Sequence, residues 1–223
     1  MGRLFNMDNK FFIFMGRVGD LIILNILCLI CCIPIVTIGA SLTSLFYVTL
    51  KMVRNEESYI IKSFFKSFRQ NFRQATIINI IFLALGALLF IDFTVIGQMG
   101  GTIAKVFNCL FAMIGVLYVM AYLYTYPVLS KFYNTIRETL QNSILMAIRH
   151  LPYTILMLVI SALPFAAFFM APSAQFQATV LMMMFLLGGA VVAYCNSIFL
   201  VKIFDHYIPE EADESAAVTD TDE

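Results

Sequence analysis

The most informative pattern in the chain is the spacing between its charges. Residues 151–201 contain no Asp, Glu, Lys or Arg over 51 positions. A membrane-spanning helix needs about 20 apolar residues, so this stretch is too long for one span. The turn-forming run Ala171-Pro172-Ser173-Ala174-Gln175 divides it into two segments of ordinary length, which predicts a transmembrane hairpin. A second hairpin is predicted over residues 75–130. Its first arm, 75–97, has Asp92 as its only charge, Gly97-Gln98-Met99-Gly100-Gly101-Thr102 makes the turn, and 106–130 returns without any charge. Pro127 falls near the end of that arm, where freed backbone groups can reach water.

The first apolar region, residues 21–50, holds 30 uncharged residues. As one helix it would be about 45 Å long against a hydrocarbon core of about 30 Å. Pro34, Thr37 and Gly39 lie near its middle in Ile33-Pro34-Ile35-Val36-Thr37-Ile38-Gly39-Ala40. Proline removes a helical donor and clashes with the preceding turn, so a break is expected there. Either one long kinked span or two short helices in a tight hairpin satisfies these facts. Charge placement favours the hairpin. Six bases (Lys51, Arg54, Lys62, Lys66, Arg69, Arg73) follow the first region, and Lys131, Arg137 and Arg149 follow the second hairpin. Both loops are cytoplasmic by the positive-inside rule. Two spans put Arg3, Lys10 and Arg17 on the same side and leave Lys105 as the only outer base, whereas a single span would face three bases outward. The expected architecture is all-α, a polytopic bundle of six spans in three hairpins, in a bacterial plasma membrane with both termini cytoplasmic.

Composition agrees. Hydrophobic residues make up 61% of the chain and charged residues 13%, with a mean hydropathy of +0.88. Soluble domains average roughly 45–50% apolar and about 25% charged. The net charge of zero conceals an asymmetry, since residues 210–223 carry seven acids and no base. The rest holds 14 bases against seven acids. Residues 1–208 are thus assigned to the membrane domain and 209–223 to an acidic, disordered cytoplasmic tail with too little apolar surface to order itself. No cleavable signal peptide is expected, because charges interrupt the first 20 residues and no small-residue cleavage site follows the first apolar run.

Between the hairpins lie basic amphipathic segments. In residues 58–72, Ile61, Phe65, Phe68 and Phe72 recur at three- and four-residue intervals while Lys62, Lys66, Arg69 and Arg73 fill much of the remainder. Asn55 with Glu56 and Glu57 suggests an N-cap and acidic first turn. A separate helix in the cytoplasmic interface is predicted, contacting anionic lipid. A second, 136–149, opens with the capping-box pattern Thr135-x-x-Glu138. These helices either stabilise topology or form a platform for a partner. A weak threefold repetition aligns residues 63–69 with 143–149 and 11–17, each an apolar stretch ending in Arg before a hairpin.

Recognisable catalytic chemistry is absent. No Walker A loop, GxSxG elbow or HExxH helix occurs, and His150 and His206 have no carboxylate at metal-ligand spacing. No enzyme activity, cofactor, metal or nucleic-acid partner is expected. Cys28, Cys31, Cys32, Cys109 and Cys195 all lie in apolar runs. The Cys28-x-x-Cys31-Cys32 cluster superficially resembles a metal or redox motif but, with no His or carboxylate close to it in sequence, reads as core packing, as do the others. Asp92 sits near the outer end of its arm, where Lys105 across the turn offers an ion-pair partner. Asn25, Asn79, Asn108 and Asn196 are distributed through the spans, with Thr37 and Ser161; they either hydrogen-bond between helices or line a polar cavity. Gly86, Gly115, Gly188 and Gly189 permit close helix approach.

Three runs carry a family resemblance. Cys32-Ile33-Pro34-Ile35-Val36-Thr37-Ile38-Gly39-Ala40-Ser41 resembles a Pro-x-x-Thr-x-Gly-Ala signature. Tyr47-Val48-Thr49-Leu50-Lys51-Met52-Val53-Arg54-Asn55-Glu56-Glu57 is similar to the segment that follows it, and Ser63-Phe64-Phe65-Lys66-Ser67-Phe68-Arg69-Gln70-Asn71-Phe72 extends the match. Together they resemble the YesL family of bacterial membrane proteins, a domain of unknown function, over residues 15–80. The resemblance implies association with carbohydrate uptake, for instance with a sugar permease, and carries over no catalytic or binding residue. Two functions follow as expectations: an accessory component acting through its basic helices, or a self-sufficient transporter or channel for a small neutral solute.

Overall fold

A computed structural model of the chain describes residues 10–56, 59–98 and 101–207. Helices account for nearly all of them, with no strand among them. In chain order they are α1 (Lys10–Cys32), a 3-10 turn (Ile35–Thr37), α2 (Ile38–Arg54), α3 (Ile60–Gly97), α4 (Thr102–Lys131), α5 (Ile136–Arg149), α6 (Leu151–Phe169), α7 (Ala174–Met183), a π-helical segment (Met184–Gly188) and α8 (Gly189–Asp205). Among the described residues six stretches are long and apolar enough to cross a membrane: Phe14–Cys32, Ile35–Arg54, Ile60–Gly97, Ala104–Lys131, Leu151–Phe169 and Ala174–Asp205. The acidic segment 209–223 lies outside the described residues, as does the turn at Met99 and Gly100.

The first apolar region is two helices, broken where Pro34 and Gly39 stand. The tip between them exposes only apolar side chains, with Ile33 78% and Ile35 64% accessible. Its backbone carbonyls are nevertheless occupied. Thr37 Oγ1 donates to Cys31 O at 2.6 Å and to Pro34 O at 2.7 Å. From α3, Asn79 Nδ2 donates to Ile35 O at 3.0 Å and Thr76 Oγ1 to Val36 O at 3.4 Å. Such internal partners would allow the tip to sit at membrane depth, where backbone groups find no water. Gly39 makes the approach possible, because a Cβ there would lie 2.5 Å from Ala75 O and 2.9 Å from Asn79 Cβ.

Two expectations about the following segment are corrected. The described part of the 58–72 segment does not form a separate interfacial helix; from Ile60 it opens α3, a single helix of 38 residues. No proline or glycine interrupts residues 60–85, so helical propensity carries it directly into the span. At 1.5 Å per residue α3 is about 57 Å long, well beyond the hydrocarbon core. Its first half is also the wall against which α2 packs. Phe64, Ser67 and Ala75 are buried and Phe68 is half-buried against the core, while Phe65 and Phe72 remain exposed. The aromatic face is therefore divided between protein and the outer surface. Asn55, read as an N-cap, instead ends α2: its φ of 59° and ψ of 27° are left-handed, and its N–H closes on Lys51 O and Met52 O. Asparagine tolerates that conformation better than other non-glycine residues.

α5 is a separate helix, and its capping box is formed by Thr135 and Glu138. The Glu138 carboxyl is held below its usual range by the Thr135 backbone N–H and then the Thr135 hydroxyl. The three segments of the proposed repetition are not equivalent in place: 11–17 and 63–69 run on within α1 and α3, whereas 143–149 ends α5 at a break at His150.

Candidate functional site: a cavity inside the bundle

The last long helix changes pitch at its middle. Over Met184–Gly188 it widens into a π-segment, which misaligns the usual i to i−4 backbone pairs. Asn25 of α1 repairs the misalignment. Its Nδ2 donates to Phe185 O at 2.6 Å, and Ala190 N–H donates to its Oδ1 at 3.0 Å. Gly189 leaves room for this, since a Cβ there would stand 2.9 Å from Asn25 Oδ1.

Beside that junction is a cavity of about 450 Å³ bounded by α1, α2, α4, α6 and the π-segment with α8. Asn25, Cys28, Cys32, Tyr122, Tyr126, Ser161 and Asn196 are the lining residues with polar side-chain atoms. Most of the remaining wall is apolar and none of it is charged. Asn196 is 1% exposed; its Nδ2 donates to Ser161 Oγ at 3.0 Å, while its Oδ1 is buried without any partner. Ser161 lies ten residues into α6 from Leu151, about 15 Å along the axis, or half the hydrocarbon thickness. Cys28 and Cys32 face each other across one helical turn with sulfurs 4.0 Å apart, and Ser41 Oγ contacts Cys28 Sγ at 3.3 Å. All five cysteines are free thiols.

A smaller cavity of about 220 Å³ adjoins it, with Val119 and Tyr122 lining both. Asn79 lies on this second side and accepts from Tyr126 Oη at 3.2 Å. The four asparagines are therefore divided. Asn25 and Asn196 share the larger cavity, Asn79 serves the α1–α2 tip, and Asn108, half-buried on α4, lines neither.

The pair expected between Asp92 and Lys105 is not formed among the described residues. Asp92 instead faces a separate apolar pocket with Phe111 and Ile114 of α4, and Lys105 is exposed one turn into α4. α3 and α4 meet through Phe82, Tyr118 and Tyr122 farther in, which leaves the rotation of the outer ends to other constraints.

Basic side chains gather at the other end of the bundle. Arg17, Lys51, Arg54, Lys62, Lys66, Arg69, Arg73, Lys131, Arg137, Arg149 and Lys202 all lie on helix ends or segments there, against Lys105 at the far turn. The end is cross-linked: Arg54 pairs with Asp205, Arg17 donates to Asn55 and Tyr194, and Gln74 Nε2 donates to Asn134 O at 2.6 Å. Lys62, Lys66, Arg69 and Arg73 are exposed. His150 meets Tyr207 Oη at 3.1 Å, and burial, then His206 and Arg149, push its imidazole below its ordinary pKa. Among the described residues no group of three or more His, Cys, Asp or Glu side chains is placed to hold a metal ion.

The π-segment and its pairing with Asn25 were invisible to hydropathy; the Gly188-Gly189 pair inside a span was the one available signal. Comparison with known proteins finds a match over residues 21–93 to a family model described as a protein of unknown function, DUF624. That region covers the second half of α1, the tip, α2 and α3 as far as Phe93. No curated protein and no solved structure matches the chain. The chain is a multi-pass helical membrane protein in which one-third of the length matches a domain of unknown function.

Proposed function

We propose that this is an accessory protein of the bacterial plasma membrane, similar to the YesL family, that binds the cytoplasmic face of a sugar permease through its basic end. The observation that carries the reading is the segregation of charge: of the bases whose side chains are described, eleven lie at one end of the bundle and one at the other. By the positive-inside rule the basic end is cytoplasmic, and with it both termini. The exposed Lys62, Lys66, Arg69 and Arg73 row offers an acidic protein surface four charges on one rigid helix, and anionic lipid contacts the same row from the bilayer side. In this reading the chain acts by binding rather than by catalysis, and the carbohydrate connection rests on the resemblance of residues 15–80.

Affinity purification of the full chain in mild detergent, from cells growing on a polysaccharide, tests the proposal. A permease subunit should co-purify and be lost when the four bases are changed to Gln. Recovery of the protein alone, or with anionic lipid as its sole companion, overturns it. One observation favours a second reading, a pathway for a small neutral solute: Asn25 and Asn196 line one cavity at mid-depth. Solute flux into liposomes holding the purified protein, above that of empty vesicles, would support that pathway.

A further inference from the structure

We propose that the cavity beside the π-segment is a binding site for a neutral, mainly apolar molecule with a single hydroxyl head, a long-chain or isoprenoid-type alcohol drawn from the bilayer. The argument starts from the one buried side-chain oxygen or nitrogen without a partner among the described residues, Asn196 Oδ1. A buried carbonyl oxygen without a donor costs about 1–3 kcal/mol, so a native site that retains one is built to receive a donor. Its neighbour supplies the complement. Ser161 Oγ accepts from Asn196 Nδ2, which leaves the Ser161 hydroxyl proton free to donate. One hydroxyl satisfies both, giving its proton to Asn196 and accepting from Ser161. A water would do the same, but the large apolar remainder of the space is filled only when that hydroxyl carries an apolar body.

The rest of the wall selects the body of the ligand. Leu29, Leu45, Phe46, Leu123, Leu158 and Phe165 surround the polar corner, and no charged side chain lines the space. An ion would find no counter-charge there. A sugar would bury several hydroxyls against a mostly apolar wall. Asn25 is already committed to Phe185 O and Ala190 N–H and the Tyr126 proton to Asn79, so most of those hydroxyls would go unmet, each at a cost of the same order as the orphaned carbonyl. A volume of about 450 Å³ lies within the range of small-molecule pockets, about 300–1,000 Å³. The rim residues Leu29 and Phe165 are 36% and 59% exposed on the outer face of the bundle, so entry is lateral, from the acyl region. The inference is independent of the partner proposed for the basic end.

The chain has no tryptophan, so a single introduced Trp reports the site alone. Full-length protein carrying Leu29→Trp, in phosphatidylcholine nanodiscs, is titrated with 10-bromodecan-1-ol and, separately, with 1-bromodecane. Saturable quenching by the alcohol, at least tenfold weaker for the alkane and for the alcohol after Asn196→Leu, is the expected result. The alcohol–alkane comparison uses a chain that keeps Asn196 and so stands even where Asn196→Leu fails to fold. Leu123→Trp, on the opposite wall, repeats the titration against the chance that the reporter itself fills the space. Equal saturable quenching by both compounds overturns the role of the hydroxyl. Quenching that rises without saturation for both shows that ordinary acyl chains occupy the cavity, and overturns the site.

Discussion

Replacing Gly39 by alanine adds one methyl group at the point where α2 comes closest to α3. The new Cβ would lie 2.5 Å from Ala75 O, 3.1 Å from Ala75 C and 2.9 Å from Asn79 Cβ. Even a weak C–H···O contact keeps carbon and oxygen about 3.3 Å or more apart, so the backbones must separate by something on the order of 0.8 Å. Two of the three atoms are backbone on a continuous helix and cannot swing aside. Overpacking of this kind costs about 1–3 kcal/mol. The displacement also stretches the bond from Asn79 Nδ2 to Ile35 O, now 3.0 Å, toward the limit of useful length. Losing it leaves an acceptor at the tip without a partner, at a further cost of about 1–3 kcal/mol. Partial relaxation brings the expected total to about 2–4 kcal/mol. The internal control is Gly115→Ala on α4, where an added Cβ meets nothing within 4 Å. There the gain in helix propensity predicts a change of about 0.5–1 kcal/mol in the stabilising direction. Reversible unfolding in mixed micelles of increasing SDS content measures both. If Gly39→Ala unfolds at the same SDS fraction as the parent chain, the close α2–α3 approach is wrong and so is the role given to the tip.

Further expectations follow from the same contacts. Asn25→Leu removes the partners of Phe185 O and Ala190 N–H and should destabilise the bundle by about 2–4 kcal/mol; the SDS titration reads this, and an unchanged midpoint would refute the bridging role. Thr135→Ala deletes half of the α5 capping box and should cost about 1 kcal/mol, seen as a lowered midpoint in the same assay. The depressed pKa of His150 means that the unfolded chain takes up a proton first as pH falls. Its contribution is absent above the ordinary histidine range, and stability is lost as pH drops from about 6.5 toward the lowered folded value. Thermal unfolding at pH 7.5 and 5.5 should show that loss, reduced in His150→Gln; an identical pH response in the variant would assign the effect elsewhere.

Much of the architecture is local and therefore legible without coordinates. Hydropathy is a property of consecutive residues, so six apolar segments and the break at Pro34 can be read directly, and the Thr135–Glu138 cap needs only four positions. The placement of bases is local in the same sense, because charge cannot be buried in hydrocarbon whatever the packing. The continuity of α3 was in principle readable too: nothing between Phe72 and Ala75 stops a helix, and the amphipathic pattern alone suggested a boundary. Asn55 shows where local reading divides, since the same residue caps either end of a helix and its backbone conformation decides which.

The contents of the bundle belong to the other category. Four asparagines on apolar helices look alike in sequence, yet one bridges a π-segment, one holds the tip, one orphans a carbonyl in a cavity and one faces elsewhere. Which of these happens depends on how each helix is rotated and on what its neighbours present at that depth. Asp92 and Lys105 fail to meet for the same reason, since proximity across a turn does not fix the rotation of two helices about their axes. Hydrophobic periodicity decides which stretches leave water; only the packing of one helix on another decides which buried polar atoms find each other.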